Sequence, residues 1–264
     1  MNCCIQTELK NRVLTVTLNR PEVRNAFNGE LIEELTKCFV AASQDGEIRT
    51  IVFTGAGSSF CAGADLHWMK KMVGYSEEEN YADAKQLDYM FHTIDTCPKP
   101  VVAKVNGAAL AGGIGLVAVS DLALTTIDAK FGFTEVRLGI VPAVISPYVL
   151  RKISLSHVRE LFLTGEIFSA SRAKEIGLVH EVVEAGSLDD RVAQCVQAIL
   201  KGGANAQAAC KAWIRILAEE GDLDKTREQS ARLIAGLRVS PEGQEGMAAF
   251  LEKRKPAWIQ EDKG

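Results

Sequence analysis

At 264 residues, with 47% hydrophobic and 24% charged side chains, 22 Gly and 7 Pro, the chain has ordinary globular composition, which excludes collagen-like, low-complexity and disordered classes. A chain of this size hides roughly 70–75% of the surface its unfolded form exposes, enough for a core without disulfide staples. Its 30 Lys+Arg against 34 Asp+Glu leave a net charge of -4, so there is no positive excess to release counterions from a phosphate backbone, and nucleic acid is not the expected partner.

The first residues, Met1 to Arg12, are polar and lack the apolar stretch of a secretory signal. The most apolar run, Gly107 to Val119, is well short of the ~20 residues that span a bilayer. A soluble, cytoplasmic protein with no membrane partner is expected. Cys3, Cys4, Cys38, Cys61, Cys97, Cys195 and Cys210 contain no CxxC pair, so they read as reduced thiols filling small apolar gaps.

In chain order, Val13–Leu18 is β-branched and alternating and Thr50–Thr54 is a short apolar run; both read as strands. Between them Leu31, Leu35 and Phe39 recur at helical spacing behind an N-cap at Asn28. Ser76 to Glu79 forms a capping box, and Leu87, Met90, Phe91 and Ile94 continue a helix that Pro98 stops. Pro100–Asn106 reads as another strand. The run Gly107–Val119 is dominated by small residues, so something approaches its backbone closely. From Ser187 strand signals cease and four helices follow. The chain is therefore expected to divide into an α/β core over residues 1–200 and a helical region over 201–264.

Several chemistries are poorly supported. Gly113-Ile-Gly115-Leu-Val-Ala118 matches a dinucleotide fingerprint, but it lies after too many elements to open a nucleotide domain. There is no P-loop, no G-x-S-x-G elbow, and the four His have no metal-ligand spacing, so no metal is expected. Two Gly-rich turns remain, Gly55–Asp65 and Gly107–Gly115. Each follows a strand and opens a helix, exposing backbone N–H groups at the positive end of a helix dipole. Two such groups meeting at one point would hold a developing oxyanion. Spacing alone does not bring them together.

Five segments, in order, resemble the crotonase (enoyl-CoA hydratase/isomerase) superfamily: Asn19-Arg20-Pro21 with Asn25-Ala26-Phe27, Phe60 to Leu66, Asn106 to Gly113, Phe131 to Val136, and Phe250 to Pro256. The resemblance covers essentially the whole chain. It implies an α/β, ClpP-like spiral of ββα units with a C-terminal helical trimerisation region, and a homotrimer or dimer of trimers. It also implies an acyl-CoA thioester as substrate, with coenzyme A part of that substrate and no other cofactor. By the same resemblance the N–H groups of Ala64 and Gly112 hold the thioester oxygen and Glu135 is the acid/base. Asp65, Leu66 and His67 would line the adenine side of the CoA site, with Val23, Arg24 and Ala26 opposite, and Ala62 would also bind the substrate or its CoA. Arg24, or Lys253 of a neighbouring subunit, would meet the phosphates. Trp68 and Met69 would wall the acyl pocket, or are simply the buried face of a helix.

One departure matters. Hydratases of this kind place a first Glu shortly after the second oxyanion glycine, and here that position is Gly115. A lone carboxylate raises a Δ3,Δ2-enoyl-CoA isomerase as a competitor to hydration. Segments around Trp68, Gly115 and Glu135 resemble the bacterial methylglutaconyl-CoA hydratase subgroup, which implies hydration of 3-methylglutaconyl-CoA. Space opened at Gly115 would then admit the acyl branch or its carboxylate, with Arg137, Lys70 or Lys71 as the cation. A catalytically idle acyl-CoA-binding or RNA-associated protein is the remaining alternative.

Overall fold

The computed structural model describes residues 3–220 and 222–259. Met1 and Asn2 of the polar N-terminal segment, and Gly221 and residues 260–264 of the expected helical region, lie outside the described residues.

The first sheet has the order β1-β2-β3-β5-β7-β10, formed by β1 (Ile5–Lys10), β2 (Val13–Leu18), β3 (Thr50–Gly55), β5 (Val101–Val105), β7 (Leu122–Thr126) and β10 (Glu181–Val183). β1 and β2 form an antiparallel hairpin; all other pairings in this sheet are parallel. The second sheet has the order β4-β6-β8-β9: β4 (Ser59–Cys61), β6 (Ala108–Leu110) and β8 (Lys130–Gly132) run parallel and β9 (Ile167–Ser169) antiparallel. The chain passes from the first sheet to the second three times, at β3–β4, β5–β6 and β7–β8. The first two passages lead into helices, α2 (Leu66–Met72) with α3 (Glu77–Asp95), and α4 (Gly112–Val119); the third leads into a 3₁₀ turn at Glu135–Leu138. This is a mixed α/β fold of ββα units, the class expected.

Helix α1 (Gly29–Gln44) starts where expected: Asn28 accepts from the Leu31 N–H at 2.8 Å, and Leu31, Leu35 and Phe39 are buried. The Ser76/Glu79 capping box opens α3, which buries Met90, Phe91 and Ile94. Along β3 every residue is buried because both faces are covered. Ile51 and Phe53 join the main core, while Val52 packs with Val102, Leu124 and the apolar stripe of α8 (Leu188–Leu200) on the other face. Helices α9 (Ala204–Glu219), α10 (Leu223–Val239) and α11 (Pro241–Leu251) complete the chain. Among the described residues no helix is long and apolar enough to cross a membrane. All seven cysteines are unpaired, and burial pushes the Cys61 thiol up to about 12, which makes it packing material.

The small-residue run after β5 is explained by contact distance. An added β-carbon on Gly113 would stand 2.3 Å from the Cys61 carbonyl oxygen and 3.0 Å from its carbon, so α4 lies directly on the backbone of β4. A backbone neighbour cannot rotate away. Gly113→Ala should therefore destabilise the fold by about 1–3 kcal/mol, whereas Gly186→Ala, whose β-carbon meets nothing within 4 Å, should leave it unchanged. Thermal melts of the two variants measure the difference.

Candidate active site

Because β4, β6 and β8 are parallel neighbours, their C-terminal ends lie along one edge of the second sheet. The residues that follow them are Ala62–Asp65, Ala111–Gly112 and Thr134–Glu135, so three stretches far apart in sequence emerge side by side. The approach is close: an added β-carbon on Gly63 would lie 3.0 Å from Ala111 Cβ and 3.1 Å from the Leu110 carbonyl oxygen. Ala111 N–H donates to the Gly132 carbonyl at 2.8 Å, tying the second turn to the strand that leads to Glu135. Ala111 has φ 47° and ψ -124°, a conformation costly for a residue with a β-carbon. It turns the chain sharply into the first turn of α4, where the Gly112 N–H has no intrahelical acceptor.

The first turn is held from the N-terminal side. Phe27 N–H donates to the Gly63 carbonyl (2.6 Å) and Asp65 N–H to the Phe27 carbonyl (2.9 Å), a parallel bridge that leaves the intervening Ala64 N–H free to face outward. Ala64 is exposed. Among the described residues neither the Ala64 nor the Gly112 N–H has an acceptor. The two Gly-rich turns of the sequence are thus brought together with two unused donors.

Glu135 is the first residue of the 3₁₀ turn after β8. Its Oε2 is buried without a hydrogen-bond partner. Burial pushes its carboxyl above the usual range, opposed in part by a hydrogen bond from its own N–H. A carboxylate in that state binds a proton more readily than one in water, the property a general base near neutral pH requires.

Asp65 is placed differently from its expected role on the adenine side. It is 4% exposed, and its carboxylate accepts from Arg20 Nη2 at 2.7 Å and from the His67 N–H at 2.7 Å, capping α2. Burial alone would raise its pKa, but Arg20 and the cap hold it below the ordinary value. Asp65 and Arg20, whose Nη1 also donates to the Ala26 carbonyl at 2.5 Å, therefore position the Ala64 turn and do not face a ligand. Ala26 itself is buried, while Val23, Arg24 and Ala62 lie together, the Ala62 N–H donating to the Arg24 carbonyl at 3.0 Å. Leu66 and His67 are exposed and line a hollow of about 370 Å³ with Met69, Lys70 and Val73. Trp68 is buried in the main core against α3. Lys253 follows α11 and is exposed.

The structure corrects the expectation at Gly115: no room opens there. An added β-carbon would stand 2.4 Å from Ile145 Cγ2 and 2.7 Å from two ring carbons of Phe91. The Cγ and Nε of Arg137 lie over Gly165 at the end of α6 (Leu155–Thr164). Sequence reasoning missed Arg20, Asn25 and Asn106 as organisers. Asn25, fully buried, donates to the Ala56 and Ser59 carbonyls and accepts from the Arg20 N–H. Asn106 exchanges hydrogen bonds with Gly55 and donates to the Gly57 carbonyl. Together they lock the β3–β4 turn that leads to Ala64.

The sequence matches the enoyl-CoA hydratase/isomerase family over residues 8–261. The chain belongs to that family. It is 33% identical over 257 residues to the crotonyl-CoA hydratase of Syntrophomonas wolfei, covering 96% of each chain. It is likewise 33% identical over 261 residues to the (E)-benzylidenesuccinyl-CoA hydratase of Thauera aromatica, covering 96% of this chain and 98% of that one. The crystal structure of an enoyl-CoA hydratase from Shewanella pealeana superposes with a TM-score of 0.94 at 34% identity, over 97% of this chain and 96% of that one.

The Arg20–Asp65 pair yields a test. An Asp with a depressed folded pKa stabilises the fold above its unfolded pKa, and that contribution is lost as pH falls through the lower folded value. Arg20→Met, which strands a buried carboxylate, should cost on the order of 3 kcal/mol near neutrality. The gap to the parent protein should narrow below the ordinary Asp range. Urea denaturation at pH 7 and pH 3 measures both.

Proposed function

We propose that this protein adds water reversibly to a 2-enoyl-CoA thioester, with the Ala64 and Gly112 N–H groups as oxyanion donors and Glu135 as the acid/base. Membership of the family supports an acyl-CoA substrate and hydratase-type activity. The observation that carries the residue assignment is the buried, unpartnered Oε2 of Glu135 on the same sheet edge as two unused backbone donors.

The steps follow from those groups. The thioester carbonyl accepts from both N–H groups, which polarises the conjugated double bond. Glu135 takes a proton from water as the water oxygen bonds to the β-carbon, and negative charge moves onto the thioester oxygen. Two fixed donors in a site shielded from solvent stabilise that enolate; loss of one such donor typically costs ~10²–10³ in rate. Glu135 then delivers its proton to the α-carbon and returns to the carboxylate, so the net change is addition of one water.

Within this class we place 3-methylglutaconyl-CoA first, giving 3-hydroxy-3-methylglutaryl-CoA. Support comes from the sequence pattern around Trp68, Gly115 and Glu135, and from the relative whose named substrate, benzylidenesuccinyl-CoA, also carries a second carboxyl group. Lys70 and Lys71, in the last turn of α2, are the cations proposed to meet a free acyl carboxylate. A Δ3,Δ2-enoyl-CoA isomerase is the second reading, favoured by the single carboxylate: one base suffices to move a proton between carbons.

We further propose a homotrimer or dimer of trimers. Exposed Ile214, Leu223, Ile234, Val239, Phe250 and Leu251 on α9–α11 support burial of these helices between subunits.

Products formed from 3-methylglutaconyl-CoA, crotonyl-CoA and a 3-enoyl-CoA in ¹⁸O-labelled water separate the readings by mass. Label in a 3-hydroxyacyl product is expected; an unlabelled, shifted double bond would establish isomerisation instead. Glu135→Gln should retain ester binding and lose turnover by a factor of about 10² or more. The acid limb of kcat/KM, where protonation removes the base, should lie above the ordinary carboxylate range because burial raises the Glu135 pKa. Retained turnover in Glu135→Gln would remove it as the base.

A further inference from the structure

The position one turn along α4 from Gly112 is filled by two buried side chains. Phe91, from α3, and Ile145, just before α5 (Ser146–Leu150), are 0% and 2% exposed. The Phe91 ring contacts Phe27 edge-on at 6.1 Å between centroids and Tyr148 at 6.2 Å. Phe27 in turn covers Gly112, whose added β-carbon would lie 3.1 Å from Phe27 Cε2. A row of rings therefore runs from the donor turn to the wall beside Gly115, and Ile145 Cγ2 fills the remaining gap.

We propose that Phe91 and Ile145 are specificity-determining residues that close the acyl chamber along α4 and restrict the site to acyl groups of about four or five carbons in the main chain. The inference rests on the enoyl-CoA reading above. With the carbonyl held at the Gly112 N–H and the β-carbon at Glu135, atoms beyond the β-carbon extend past the next turn of α4. There they meet a packed aromatic ring and a branched aliphatic side chain. Interiors at this density do not open for extra methylenes without displacing neighbours. The same two side chains explain why position 115 is glycine: a second carboxylate on α4 has no volume to occupy.

Initial rates of hydration of crotonyl-, 2-hexenoyl-, 2-octenoyl- and 2-decenoyl-CoA test this directly on the parent protein. An apolar pocket discriminates by about tenfold or more for a methylene it cannot hold. The expected result is a kcat/KM that falls at least that far between the four-carbon and eight-carbon substrates. Ile145→Ala and Phe91→Leu should raise the ratio of eight-carbon to four-carbon kcat/KM by a similar factor, chiefly through the long substrate. Two results would overturn the proposal: equal kcat/KM for all lengths in the parent protein, or variants that lower every length in parallel. If the parent protein hydrates long and short esters alike in a Glu135-dependent manner, the chamber inference fails and the hydratase reading stands. Absence of hydration at every length and of 3-methylglutaconyl-CoA overturns both.

Discussion

The site depends on how closely two backbones are allowed to approach. Parallel pairing of β4, β6 and β8 sets three chain ends in a row, but pairing alone leaves side chains between the turns that follow. Gly63 against Ala111 and Gly113 against Cys61 remove that obstacle. What remains at the edge is peptide groups, and a peptide N–H is a donor that needs no rotamer entropy to aim and cannot be titrated. The cost is visible at Ala111, held at positive φ by the bond from its N–H to Gly132 and by the first turn of α4.

Charge is used at a distance from that edge. The Arg20–Asp65 pair lies beneath the Ala64 turn, where the carboxylate caps α2 and the guanidinium also grips the Ala26 carbonyl. Two ions taken out of water gain little by themselves, because desolvation offsets much of their attraction. Their contribution is geometric: each fixes backbone on opposite sides of the Phe27–Ala64 bridge. Glu135 presents the reverse arrangement. Its Oε2 is left without a partner, and burial raises its proton affinity against the opposing hydrogen bond from its own N–H.

Much of this architecture was legible in the sequence, for identifiable reasons. The Asn28 cap, the Ser76/Glu79 capping box, the helical period of α1 and the β-branched runs of β2 and β3 are local signals, and the elements formed where those signals lie. β1 was missed because it is an edge strand exposed along nearly its whole length, so it carries no apolar alternation. The strands β4, β6 and β8 have three residues each and are specified by their neighbours. The candidate site was legible as a set of residue types through resemblance. The role of Asp65 was not, since a carboxylate that caps a helix and one that faces a ligand have the same one-letter code. Gly115 was misread for a related reason: sequence shows a missing side chain, and only tertiary contacts show whether the vacated volume is empty or already filled by Phe91 and Ile145.

That last distinction bears on the chemistry of a one-carboxylate site. In a roomy chamber, the absence of a second carboxylate would leave water poorly oriented and the reacting carbons loosely held. In the proposed chamber the side facing α4 is the packed cluster of Phe27, Phe91 and Ile145. In the proposed hydration, water would approach from the Glu135 side, where Oε2 has no partner. Orientation that two carboxylates would supply by hydrogen bonds would then come from one hydrogen bond and from steric exclusion on the opposite side.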